Sequence, residues 1–314
     1  MTLTELRYIV TLADVRHFGR AAEKCYVSQP TLSVAVKKLE EELGVSLFER
    51  SRGQVTVTDT GEQVIRQARK VLDQVRLIRE IAQSGRDQLS SPLRLGAIYT
   101  VGPYLFPHLM PQLRREAPGM GLYIEEGYTS VLREKLRHGE LDAIVIALPF
   151  EETEVLTKPL YDEPFVVLMP KDHPLAAEAE IDPAWLSQYD LLMLGPGHCF
   201  RDQVLQACPG LEDVVVRRAG APEPGSVVTE GSSLETIRHM VASGLGITVL
   251  PQSAVQAGDD GGLLTTRPFR APVPSRTVAL AWRVTFPRPK AIDLLAKAAG
   301  QCKVNWARAL KKTA

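Results

Sequence analysis

Cys199 is the side chain best placed for chemistry in this sequence. It follows a Gly195–Pro196–Gly197 loop and opens an expected helix, within the run Gly-His-Cys-Phe-Arg-Asp at 197–202. A helix N-terminus and a nearby cation favour the thiolate, the form in which cysteine is a nucleophile. His198 and Arg201 are close in sequence. Cys208 lies nine residues on, with Pro209 behind it to help end the helix. Spacing alone leaves two readings open: a working pair, or incidental residues such as Cys25 and Cys302. No cysteine belongs to a CxxC pair and no Cys/His cluster has zinc spacing, so neither a metal nor another cofactor is expected. His108, His138 and His239 suggest nothing beyond surface or core positions.

These residues need domains to hold them, and 314 residues allow two or three. Hydrophobic residues at 45% and charged residues at 24% are ordinary for a soluble globular chain. No run approaches the roughly eighteen apolar residues of a membrane span. The start, Met-Thr-Leu-Thr-Glu-Leu-Arg, has no basic segment leading into an apolar one, so a cytoplasmic protein with reduced thiols is expected. The formal net charge is zero, which argues against a generic polycationic nucleic-acid binder. Residues 1–90 hold 14 Lys/Arg against 12 Asp/Glu, so any DNA affinity there must come from placement and from several copies binding together.

Residues 1–58 read as short helices followed by a hairpin. Leu6, Ile9 and Val10 recur at helical spacing in the first, and Ala21 and Ala22 allow close packing in the second. Tyr26–Val27 makes a turn, Ser28 caps a third helix, and Pro30 is tolerated in its first turn. That helix buries Leu32, Val36 and Leu39. Its other face offers Gln29, Thr31 and Ser33 near the start, then Lys37 and Lys38, as a recognition helix must to reach base edges and phosphates. Arg50 and Arg52 beside the hairpin are placed to hold phosphates. The alternative is a packing unit with an ordinary solvated face.

From Asp59 to about Gln88 one long helix is expected. Val64, Ala68, Val71, Val75 and Ile78 form an a/d heptad seam, read as a dimerisation helix in preference to one packed on its own domain. Ser90–Ser91–Pro92 breaks it. Strands and helices then alternate to the end, which implies parallel sheets with ligand sites at strand ends.

Three segments carry a family resemblance: Phe-Gly-Arg-Ala-Ala-Glu at 18–23, Ser-Gln-Pro-Thr-Leu-Ser at 28–33 and Leu-Gly-Val-Ser-Leu-Phe-Glu-Arg at 43–50. Together they resemble the DNA-binding domain of LysR-type transcription regulators. Ser-Ser-Leu-Glu-Thr-Ile-Arg at 232–238 and Gly-Leu-Gly-Ile-Thr-Val-Leu-Pro at 244–251 are similar to the family's second half. The resemblance implies an α/β chain in three parts: a winged helix-turn-helix at 1–58, a linker helix at 59–90 and a two-lobed effector domain at 91–314 like a periplasmic binding protein. Lobe I would comprise about 91–163 and 268–314, and lobe II about 164–267.

The run 197–202 further resembles the motif of the family's peroxide sensors, with Cys208 where their second cysteine stands. The resemblance implies oxidation of Cys199 to a sulfenic acid and closure of a disulfide with Cys208. Nine helical residues span about 13.5 Å, whereas bridged Cα atoms lie within roughly 7 Å, so the helix between them has to unwind. Thr100 and Thr129 match hydroxyl positions of that peroxide pocket, joined by His198 and Asp202, and Arg276 matches a basic residue that stabilises the thiolate. Read from the residues, Thr129 serves equally as an N-cap, and Arg276 as a surface strand residue. Implied partners are double-stranded promoter DNA, hydrogen peroxide as signal, further copies in a homodimer or homotetramer, and RNA polymerase. The implied outcome is activation of antioxidant genes such as catalase. A LysR-type regulator reading a metabolite between the lobes is the alternative, since Thr100 and Thr129 suit a carboxylate equally well. A thiol peroxidase is disfavoured, and no enzymatic activity is expected.

Overall fold

The structure, a computed structural model, describes residues 1–51, 54–84, 88–208, 211, 230–255 and 262–302. The chain divides into two compact units, Met1–Arg86 and Asp87–Ala314.

In the first unit, α1 (Leu3–Val15), α2 (Phe18–Cys25) and α3 (Gln29–Leu43) precede a hairpin of β1 (Phe48–Ser51) and β2 (Gln54–Val57) and the helix α4 (Asp59–Ser84). Thr2 and Glu5 form a capping box on α1, and the Ser28 hydroxyl accepts from the Thr31 amide to start α3. Tyr26 closes α2 in the left-handed region, at φ 58°, and so makes the turn between α2 and α3. Ile9, Leu12, Leu32, Leu39 and Leu47 are fully enclosed between these elements.

The expected seam on α4 is split. Ala68 is buried with Ile65 against this unit's own core, Leu72 packs on the same core, and Val64 and Val75 are half-buried. Val71 and Ile78 stand exposed. The cause is the pair Ile65 and Leu72, which with Ala68 draws the inward stripe to one side of the heptad expected and leaves Val71 and Ile78 outside it. Arg50 pairs with Val55 across the hairpin through its backbone, and Arg52 lies outside the described residues.

The second unit contains β3 (Leu93–Ile98), α5 (Gly102–Glu116), β4 (Leu122–Gly127), α6 (Thr129–Arg137), β5 (Ala143–Ala147), β6 (Val155–Pro170), β7 (Leu191–Leu194) and α7 (Cys199–Ala207). It continues through β8 (Glu230–Gly231), α8 (Leu234–Ala242), β9 (Ile247–Pro251), β10 (Leu264–Pro268), β11 (Ser275–Arg283) and α9 (Pro289–Gln301). The strand order is β4-β3-β5-β11-β6-β9-β7-β8, with β10 also on β6.

The sheet is mixed, where alternation implied parallel. β3 is parallel to β4 and β5, and β7 to β8 and β9, but β11 runs antiparallel to β5 and β6, and β6 antiparallel to β9 and β10. The long strand β6 is the reason. Its first half pairs with β11 and its second half with β9 and β10, so one strand serves two cores. Its first half carries no strand pattern in the sequence, because Val155–Leu160 is largely exposed and interrupted by Pro159, whereas Phe165–Met169 is continuously apolar and buried. One core lies around β3, β5 and β11 with α5, α6 and α9, and includes Leu95, Leu105, Ile144 and Leu295. The other lies around the end of β6, β7 and β9 with α7 and α8, and includes Phe165, Leu192, Phe200 and Leu250.

Candidate functional site

Cys199 is the first residue of α7, and Cys208 is its C-cap. Phe200 and Val204, four apart, fix the helix on the second core. Both thiols are free, and the intervening helix holds them apart by about 13.5 Å of rise. Cys199 is half-buried against the first core, whereas Cys208 is wholly enclosed in the second. Burial pushes the Cys208 thiol up to about 12, so at neutral pH it keeps its proton.

Beside Cys199 is a cavity of about 10 Å³, the space of one water molecule. Its walls are Ile98–Thr100 at the end of β3, Gly127–Thr129 at the end of β4, and Gly197–Cys199. Gly197 adopts φ 94°, a left-handed value that an L side chain rarely takes, and this lets the loop turn into α7.

Two polar atoms of these walls are enclosed without a hydrogen-bond partner: Thr129 Oγ1 and His198 Nε2. Thr129 is not a cap. It is already the first residue of α6, whose N-cap, Tyr128, makes no side-chain bond. Burial lowers the pKa of His198 despite a hydrogen bond to the Ser232 backbone, so the ring is neutral near pH 7. His198 is therefore not the cation expected beside Cys199. Nor is Arg201, whose Nη1 donates to the Leu194 carbonyl at 2.8 Å and to Glu230 Oε1 at 2.9 Å.

Arg276 is not a surface residue; its side chain is completely buried. Nη1 donates to Thr100 Oγ1 at 2.8 Å and Nη2 to the Thr100 carbonyl at 2.7 Å. Nε donates to Glu163 Oε2 at 2.8 Å, and the Ser253 amide donates to Glu163 Oε1 at 2.9 Å. The guanidinium also lies 5.1 Å from the Phe200 ring centroid. Its charge is thus balanced by Glu163, its register partner across β6 and β11, and it reaches the cavity only through Thr100. Because Thr100 Oγ1 already accepts from a cation, its own proton is left to donate. Asp202 is exposed and not part of the cavity wall: burying Phe200 and Val204 turns it to the opposite side of α7.

The structure thus brings together Cys199, Thr100, Thr129, His198 and Arg276, and leaves Asp202 out. Sequence reasoning missed Glu163 and the two tyrosines of the wall, Tyr99 and Tyr128. A buried strand arginine calls for a carboxylate, but only the register identifies which one.

On the first unit, Gln29, Pro30 and Thr31 are exposed at the start of α3, and Ser33 is half-buried. Lys37 and Lys38 are exposed, but each faces a carboxylate: Glu41 at 3.6 Å and Glu5 at 3.8 Å. Tyr26, 95% exposed in the preceding turn, and Val34, 68% exposed on α3, extend this face and were not anticipated. No helix among the described residues is long and apolar enough to cross a membrane, and no cluster of possible metal ligands occurs among them.

Residues 3–62 match the bacterial regulatory helix-turn-helix protein, lysR family, and residues 86–301 match the LysR substrate binding domain. The chain is 41% identical over 298 residues to the DNA-binding transcriptional dual regulator OxyR of Escherichia coli K12, covering 95% of this chain and 94% of that one. It is 41% identical over 287 residues to the hydrogen peroxide-inducible genes activator of Dickeya chrysanthemi, covering 91% of each. A full-length OxyR from Pseudomonas aeruginosa in which a cysteine is replaced by aspartate superposes with a TM-score of 0.78. The two are 60% identical, and 99% of each chain is covered.

Proposed function

The chain belongs to the LysR family of bacterial regulators, and from that premise we propose that it is a hydrogen-peroxide-sensing DNA-binding transcription regulator. One observation carries the sensing: a cavity the size of one water, bounded by Cys199 and by two enclosed polar atoms with no partner. A peroxide molecule, little larger than water, satisfies both. A carboxylate metabolite is too large for that space.

In this reading Thr129 Oγ1 and the free nitrogen of His198 hold the peroxide, and the Thr100 hydroxyl donates to its departing oxygen. Arg276, anchored by Glu163, keeps Thr100 oriented. The Cys199 sulfur attacks one oxygen. An S–O bond forms, the O–O bond breaks, two electrons leave the sulfur, and the departing hydroxide takes the proton given up by the Cys199 thiol to become water. Cys208 then loses its proton and attacks the sulfenic sulfur. The S–S bond forms, the S–O bond breaks, and the hydroxide released takes that proton as a second water.

The second step requires α7 to unwind and Cys208 to leave its core, which makes the disulfide a conformational signal. Residues 1–58 carry that signal to promoter DNA, with Gln29, Pro30, Thr31, Ser33, Lys37, Lys38, Arg50 and Arg52 as the contacts. Residues 59–90 pair copies through Val71 and Ile78, the seam positions left exposed, and residues 91–314 sense. A homodimer or homotetramer, RNA polymerase as the recipient, and action in the cytoplasm complete the reading. DNase footprinting of a responsive promoter tests it. Peroxide should alter the wild-type footprint and leave that of Cys199→Ser unchanged; a Cys199→Ser protein that still switches would contradict it.

A further inference from the structure

Three aromatic residues line the cavity beside Cys199. Tyr99 comes from the end of β3, Tyr128 from the end of β4 and His198 from the cap of α7, and all three belong to its wall. The ring centroids form a closed triangle: Tyr99–Tyr128 at 5.3 Å edge-on, Tyr128–His198 at 4.7 Å and Tyr99–His198 at 6.1 Å. Tyr128 also lies against Gly197, where an added Cβ would stand 3.5 Å from its ring. Tyr99 and Tyr128 are 39% and 36% exposed, so the same rings face both cavity and solvent.

We infer that Tyr99 and Tyr128 set which peroxides reach Cys199, admitting hydrogen peroxide and excluding alkyl hydroperoxides; this rests on the peroxide-sensing reading above. A hydroperoxide carries its alkyl group on the oxygen that leaves. That group needs room on the far side of the O–O bond from Cys199, and a cavity of about 10 Å³ has none. Cumene hydroperoxide would give the same sulfenic acid, with cumyl alcohol leaving in place of water, so the chemistry itself does not discriminate. The discrimination is steric and resides in the rings. Their hydroxyl groups have no part in it.

The test uses the full reduced chain and the rate of Cys199–Cys208 disulfide formation with hydrogen peroxide and with cumene hydroperoxide. In Tyr128→Ala and in Tyr99→Ala the ratio of the two rates should fall about tenfold or more, through a faster reaction with the cumene compound. A urea midpoint near wild type certifies that the variants fold. Tyr128→Phe keeps the ring and should keep the wild-type ratio. An unchanged ratio in both alanine variants would overturn the inference while leaving peroxide sensing intact, as would loss of selectivity in Tyr128→Phe. A wild-type chain that forms no disulfide with either peroxide would overturn the sensing reading and this inference with it.

Discussion

Cys199 and Cys208 stand at opposite ends of one helix and against different cores of the same unit. Bringing them together therefore dismantles α7 and vacates a place in the second core. A sensor built this way couples a two-electron oxidation to a rearrangement far larger than the bond itself.

The first prediction concerns Cys208 as it stands in the reduced protein. Full enclosure and a thiol pushed up to about 12 leave it without access or thiolate. Iodoacetamide in mildly alkaline buffer should label half-buried Cys199 and spare Cys208 until denaturant is added. Equal labelling of both in the native protein, read by peptide mass spectrometry, would show α7 already open.

The same burial gives a pH dependence. The folded thiol titrates at about 12 against an ordinary 9.0, so between these values the native state holds a proton that the unfolded state has lost. Stability contributed by this group is complete below 9.0 and falls as pH rises toward 12. Urea midpoints across that range should drop less in Cys208→Ala than in wild type.

Glu163 and Arg276 are both fully enclosed, so removing one partner leaves a bare charge. Glu163→Ala should cost about 3–5 kcal/mol in urea unfolding. A double-mutant cycle with Arg276→Met should show strong coupling, and additive losses would contradict the pairing.

Thr129 is the opposite case. Its enclosed hydroxyl has no partner, so Thr129→Val should leave stability unchanged or raise it by about 1 kcal/mol. The oxidation rate should fall about 10–100-fold if that hydroxyl holds peroxide. A loss of stability with an unchanged rate would assign Thr129 a structural role instead.

Much of this was legible in the sequence, and for identifiable reasons. The Gly-Pro-Gly loop and Pro209 bracket Cys199–Ala207, so the bounds of α7 follow from its breakers. What escaped depends on long-range register. The Arg276–Glu163 pair joins strands 113 residues apart, and the first half of β6 lacks the apolar alternation that marks a strand. Asp202 was misplaced because only the packing of Phe200 and Val204 fixes which side of α7 faces solvent. The seam on α4 was misjudged because Ile65 and Leu72 compete for the inward position.

The central claim is that peroxide links Cys199 to Cys208. Its most direct test is mass spectrometry of peptides from the reduced full chain after brief exposure to micromolar peroxide, with free thiols alkylated. The account predicts a Cys199–Cys208 cross-linked peptide that forms quickly and is absent in Cys199→Ser. Both cysteines emerging alkylated and unlinked would contradict it.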